Sequence, residues 1–286
     1  MLLSNFTSRF RSKPKRVLPG LTLSLGLSVV YLTLIVLLPA ITLVLKAADI
    51  SWNELIFYFT DPRLISSFKV TFTAAALATV FNGLIGLLLA WILTRYEFPG
   101  RKFMDTLIDL PFALPTAVAG LTLSALFATN GWLGQWLAPL GIQISYTFYG
   151  IVVAMVFTSL PFVVRTLQPV LEDFSPEFEE AAQSLGANKL QIFRRIIWPH
   201  IFPAFLLGMG LSFVRCLGEF GAIIFIAGNM PYSTEVMSLM IFTLIGEYNY
   251  VAASVVALFI LISSLLFLVL IQVAQKYYQL PKARSR

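Results

Sequence analysis

Five stretches of this chain, 17–45, 70–94, 110–164, 196–214 and 248–275, contain no aspartate, glutamate, lysine or arginine. Runs of that length decide the solvent. A helix of roughly 20 apolar residues crosses a bilayer core while satisfying its own backbone hydrogen bonds. Soluble domains carry about 25% charged residues; this chain has 12%, with 58% hydrophobic residues over 286 positions. The expected class is therefore an all-α integral membrane protein with no room for a sizeable soluble domain. The single cysteine, Cys216, cannot form an intramolecular disulfide, and the single histidine, His200, excludes a histidine metal cluster. Cys216 reads as a small inert hydrophobe and His200 as an interfacial residue beside Pro199.

The third run is too long for one crossing and divides between Asn130-Gly131 and Gly141, where glycine and Pro139 interrupt it. The fourth continues past Arg215 and Glu219 to about residue 227. Six transmembrane helices are expected, near 20–45, 69–94, 110–128, 147–165, 203–227 and 251–273. The first is too long for a signal-peptide core and has no clean cleavage pattern, so it is expected to stay attached. Of twenty basic residues, sixteen fall in the 1–19 tail, the 95–109 and 165–200 connections and the 274–286 tail. Lysine and arginine collect on the cytoplasmic side, which places both termini there. The net charge of +6 is then mainly a record of topology. A short apolar face over 234–242 predicts a helix lying along the outer surface.

The connection 165–200 is the most informative. Ser175-Pro176 followed by Glu177, Glu179 and Glu180 has the form of a helix start, with proline in the first turn and negative charge at the positive end of the helix dipole. The helix should pass Ala181, Ala182 and Leu185 and stop at Gly186. Asn188 then caps a second helix, with Leu190, Phe193, Ile196 and Ile197 on one side and Arg194 and Arg195 on another, ending at Pro199. Periodicity alone allows a plain solvated connection just as well.

Spacing adds to this. Glu180-Ala181-Ala182, then Gly186, Ile196 and Pro199 at the same intervals, resembles the cytoplasmic-loop motif of permeases in binding-protein-dependent ABC importers. Trp198 departs from the leucine usual before the proline. The resemblance covers about 64–272, implying a five-helix core of the type I importer fold, with the first helix as an addition. It also implies that the loop 175–199 docks on a separate ATPase subunit through Glu179, Glu180, Ala181, Ala182, Gly186 and Pro199. No glycine precedes a lysine anywhere in the chain, so a phosphate-binding loop is absent and the chain is expected to be a transport subunit, not an enzyme. It should hold no cofactor itself, ATP and Mg being used by the partner ATPase.

Three further segments are similar to the oxyanion branch of that family, closest to sulfate and thiosulfate permeases. They are Asp109-Leu110-Pro111-Phe112-Ala113-Leu114-Pro115-Thr116, Leu160-Pro161-Phe162-Val163-Val164-Arg165-Thr166 and Ser212-Phe213-Val214-Arg215-Cys216-Leu217-Gly218-Glu219-Phe220-Gly221. Molybdate and tungstate permeases share such segments and remain the alternative substrate class; a secondary anion transporter without an ATPase is the alternative mechanism. An arginine at a helix centre costs about 2.5–3.5 kcal/mol on the insertion scale, so Arg215 should face an interior or a wet cavity, with Glu219 in pairing range. Either the two hold helices together, or Arg215 lines an anion path with Glu219 limiting its attraction. Ser212, Pro111, Pro115 and Thr116 are candidates for the same path; the two prolines read equally as a kinked packing helix. Gly83, Gly86, Gly208 and Gly210 should allow close helix contact. The resemblance implies a second homologous permease subunit of the W type, two ATP-binding subunits and an extracytoplasmic sulfate- or thiosulfate-binding protein, with lipid around and no nucleic acid. The membrane would be a bacterial inner membrane, the plastid envelope being the other choice.

Overall fold

The computed structural model describes residues 21–48 and 50–279, and every regular element among them is helical. The expected tail 1–19 and the residues 280–286 lie outside the described residues. Packing divides the chain into two units, Met1–Lys46 and Ala47–Arg286. The first helical stretch consists of α1 (Leu21–Leu32), a π-helical turn at Thr33–Leu37 and α2 (Leu38–Ala48). The wider turn precedes Pro39, where a regular helix would put the proline ring against the carbonyl four residues back.

The second unit starts with α3 (Trp52–Thr60), whose first turn is closed by a reciprocal pair: Ser51 Oγ accepts from the Glu54 backbone N–H, and the Glu54 carboxylate accepts from that of Ser51. Next come α4 (Pro62–Arg95), α5 (Arg101–Ile108), α6 (Leu110–Ala113), α7 (Thr116–Phe127), α8 (Gly134–Leu137) and α9 (Phe148–Glu172). The chain continues through α10 (Glu177–Ser184), α11 (Lys189–Ile192), α12 (Trp198–Leu217), α13 (Ile223–Ile226), α14 (Met237–Gly246) and α15 (Tyr250–Gln279). Among the described residues, five helical stretches are long and apolar enough to cross a membrane: Leu23–Lys46, Pro62–Arg95, Phe148–Glu172, Lys189–Leu217 and Tyr250–Lys276.

The structure corrects several boundaries. The expected third span, 110–128, is broken into α6 and α7, because Pro115 cannot donate to a helix and pushes Leu114 to ψ 135°. At about 1.5 Å per residue α7 reaches only ~18 Å, short of a bilayer core. The expected fifth span does not run to 227: α12 ends at Leu217, and a turn through Gly218 leads into the separate α13. Nor does Pro199 end a helix. A second π-helical turn, Phe193–Ile197, precedes it, so α11 and α12 form one continuous helix, Lys189–Leu217. The segment expected on the outer surface becomes α14, which buries Met237, Leu239, Met240 and Leu244, so it is a core element. The last helix extends to Gln279, beyond the expected start of the tail at 274.

The core is the packing of α4, α9 and α12 on one another, with α15 against α12 and α14, and α7 against α13 and α9. In lipid, apolar side chains gain little by leaving hydrocarbon for protein, so close approach and polar ties hold the helices. Small residues supply the approach: α4 buries Ala74, Ala75, Ala78, Gly83, Gly86 and Ala90. A Cβ at Gly86 would lie 2.8 Å from Val163 Cγ1 on α9. Asn82 supplies a tie: its Nδ2 donates to Ser159 Oγ (2.8 Å) and the Val156 carbonyl (3.2 Å), while Ser212 Oγ lies 3.0 Å from Ser159 Oγ, so α4, α9 and α12 meet in one polar cluster.

Candidate functional site

Beyond α9 the chain forms the short loop expected to do the coupling. Ser175 Oγ accepts from the Glu177 backbone N–H at 3.3 Å, and α10 follows with Glu177, Glu179 and Glu180 in its first turn. It stops as expected. Gly186 adopts φ +83°, open to glycine and strained for other residues, and the Gly186 and Ala187 N–H groups donate back to Gln183 and Ala182 carbonyls. Asn188 and Gln191 then exchange side-chain to backbone bonds of 2.9 and 2.8 Å, which opens the next helix.

The predicted coupling residues do not share one role. Ala182 is buried in a cluster with Leu93, Ile108, Leu171, Phe174 and Ile192, and so anchors α10 to the helical core. Glu180 and Ala181 point outward. Glu179 turns inward to pair with Arg95 at the end of α4, at 2.6 Å. Phe178 and Leu185 are exposed, 61% and 88%, and with Ala181 form an apolar stripe at spacings of three and four along the free side of the loop. The same spacing in the sequence could have pointed to Phe178. Trp198, the departure from the family pattern, packs among the Phe193, Phe202 and Phe205 rings with centroids 5.3–6.1 Å away.

The candidate path residues lie around the end of α12. Arg215 Nη1 is 2.6 Å from Glu219 Oε2; the Glu219 side chain is 1% exposed and that of Arg215 31%. Glu219 Oε1 also accepts from the Ala222 N–H at 2.9 Å, and its backbone carbonyl accepts from Ser238 Oγ at 2.7 Å. The carboxylate thus ties α12 to the turn before α13, and the backbone carbonyl of the same residue holds the start of α14, while the guanidinium keeps part of its surface exposed. Thr116 reaches the same turn: a Cβ on Gly221 would run into Thr116 Oγ1. Pro115 precedes it as the break between α6 and α7; Pro111 lies within α6, whose Phe112 ring meets the Phe162 ring of α9 edge-on at 5.3 Å. Ser212 does not face open space. It is fully buried and bonded to Ser159, one turn deeper in α12.

Two ionic clusters escaped the reading of the sequence, which gave neither arginine a partner. Arg165 on α9 donates Nε and Nη2 to Asp109 (2.8 and 2.5 Å) and Nη1 to Asp105 and Gln168 (both 2.6 Å). Burial alone would raise the Asp105 carboxyl, but hydrogen bonds from Gln168 and Arg165 outweigh it and hold the group below the ordinary carboxylate range. At the other end of α4, Arg63 makes a two-pronged bond to the buried Glu235, 2.8 and 2.7 Å. The partners stand 56, 60 and 172 residues apart along the chain, beyond any local pattern.

Residues 82–280 match the family of the binding-protein-dependent transport system inner membrane component, and the chain belongs to that family. It is a multi-pass membrane protein and a permease of the ABC importer type. Two relatives are the sulfate transport system permease proteins CysT of Salmonella typhimurium and Escherichia coli. The first is 56% identical, covering 92% of this chain and 95% of its own; the second is 54% identical, covering 94% and 97%. Among solved structures, a bacterial ABC transporter that imports the acidic polysaccharide alginate shares the fold at 20% identity, with a TM-score of 0.74 over 90% of this chain and 95% of that one. A bacterial alginate ABC transporter in complex with a periplasmic protein bound to an alginate pentasaccharide gives a TM-score of 0.71 over 88% of this chain and 92% of that one.

Proposed function

We propose that this chain is the membrane subunit through which an ATP-driven importer passes sulfate, and thiosulfate with it. What carries the reading is the likeness, over nearly the whole chain, to two sulfate permeases. Six crossings with both termini cytoplasmic fit it, the broken α6–α7 stretch serving as the third. A second, homologous permease would complete the path, a binding protein would deliver the anion from outside, and two ATPase subunits, using ATP and Mg, would take the 175–199 loop. A bacterial inner membrane suits these partners.

In this scheme the apolar stripe Phe178, Ala181 and Leu185 seats in a groove of the ATPase, and Glu180 meets a basic group beside it. Closure of the ATPases on ATP draws the loops of the two permeases together, and hydrolysis releases them; each nucleotide state favours one arrangement of the helices. Arg215, partly exposed next to the Thr116 and Gly221 contact, offers a passing dianion a cation already half-neutralised by Glu219. That suits a conduit, where binding must be weak enough to release.

The test is uptake of labelled sulfate by the reconstituted transporter, with molybdate as competitor. Sulfate should be carried and molybdate should compete poorly. Glu180→Lys and Gly186→Val should each uncouple ATP hydrolysis from uptake, lowering sulfate moved per ATP between about five- and a hundredfold. Faster uptake of molybdate than of sulfate would give the chain to the other oxyanion class, and normal coupling in both variants would remove the loop from the mechanism.

A further inference from the structure

The 34-residue α4 carries an arginine near each end, and each grips a glutamate from a distant part of the chain. At 1.5 Å per residue the helix is about 50 Å long, so its ends lie on opposite faces of the bilayer. We propose that α4 is the lever that carries movement of the coupling loop across the membrane, and that Arg95 is the positioning residue through which α10 drives it. This rests on the coupling role proposed for the loop.

The near end is built for transmission. The Arg95 guanidinium lies 5.1 Å from the Trp91 ring centroid and 5.7 Å from that of Phe174, which fixes its direction, and Glu179 closes on it at 2.6 Å. Both side chains are about one-fifth exposed, 21% and 22%, so water screens the pair little. A displacement of α10 therefore pulls on the last turn of α4. The rod has no proline beyond Pro62 at its start, so the residue that most often kinks a helix is missing from its length.

The far end is clasped just as firmly. Beside the two-pronged Arg63–Glu235 bond, Ser66 Oγ donates to the Tyr232 carbonyl (2.9 Å) and the Met237 N–H donates to Thr71 Oγ1 (2.9 Å). The segment 232–237 thus moves with the first turns of α4. It leads directly to Ser238, whose hydroxyl holds the Glu219 carbonyl, and Glu219 holds Arg215. A continuous set of ionic and hydrogen-bonded contacts runs from the coupling loop to the candidate anion contact.

The experiment uses the complete reconstituted transporter with its binding protein. Arg95→Gln should keep ATPase subunits bound and hydrolysis stimulated by the binding protein, while sulfate moved per ATP falls about tenfold, and Glu179→Gln should lose coupling to the same extent. The exchanged pair, Arg95→Glu with Glu179→Arg, should regain most of the loss. Glu235→Gln should show the same uncoupling from the other end. Normal coupling in the single variants would overturn the role of Arg95; normal coupling in Glu235→Gln would overturn the lever. Parallel loss of assembly and uptake, with no recovery in the exchanged pair, would reduce the contact to a structural one. Glu180→Lys separates the two readings. If that variant stays coupled, the loop itself is not the coupling element; if it uncouples while the Arg95 and Glu179 variants do not, only the role of Arg95 as the link to α4 fails.

Discussion

Arg215 and Glu219 show how much one pair of side chains can be asked to do. Glu219 is almost wholly buried and bonds three separate segments, so it serves the architecture whatever passes nearby. Arg215 balances that charge and still exposes part of its guanidinium. Removing the arginine alone would leave a buried, unpaired carboxylate, a defect of about 3–5 kcal/mol in its own right. The informative variant is the double one, Arg215→Ala with Glu219→Gln, because glutamine keeps an acceptor for the Ala222 N–H and carries no charge. It should insert and assemble with its partners as the parent does, measured by co-purification, and lose sulfate uptake about tenfold. Full uptake in the double variant would make the pair purely structural. The sequence made this pair legible through its i,i+4 spacing in an apolar run. Arg95 and Arg165 were not legible, because a basic residue at the edge of an apolar run has the same local context whether it marks topology or grips a carboxylate.

At the scale of elements, the helices come from long apolar runs and their ends from single residues. Gly186 stops α10 because its φ of +83° suits glycine, and Pro115 splits the third run because it removes a donor and bars the preceding residue from helix. The proline rule failed at Pro199, where a π-helical turn absorbs the misfit and the helix continues to Leu217. Whether a proline breaks a helix or is accommodated depends on what the neighbouring turns pack against, and that is not local. Between elements, α4 approaches α9 closely at Gly86. Gly86→Leu should wedge the helices apart against Val163 and lower stability in detergent by roughly 1–3 kcal/mol. A thermal melt of the purified protein checks it, and Val163→Ala in the same chain should return part of the loss. An unchanged melt would mean that the two helices separate without cost.

At the scale of the whole molecule, the charge pattern predicts which face of the membrane each connection meets. A cysteine placed at Ser285 should react with an impermeant thiol reagent only after the membrane is opened, and one placed at the exposed Trp132 should react in intact cells, Cys216 being buried. The reverse pattern would invert the proposed orientation and put the coupling loop on the wrong side for ATP. The sequence by itself determined the solvent, the class, most helix positions and the two short helices that begin near Glu177 and Lys189, since each of these follows from composition, period or short spacing. Only the tertiary structure decided that the expected fifth span ends at Leu217, that α14 is a core element, and which carboxylates Arg63, Arg95 and Arg165 hold. Those outcomes depend on contacts between segments tens to hundreds of residues apart, which arise only when the helices pack and which no local pattern of side chains records.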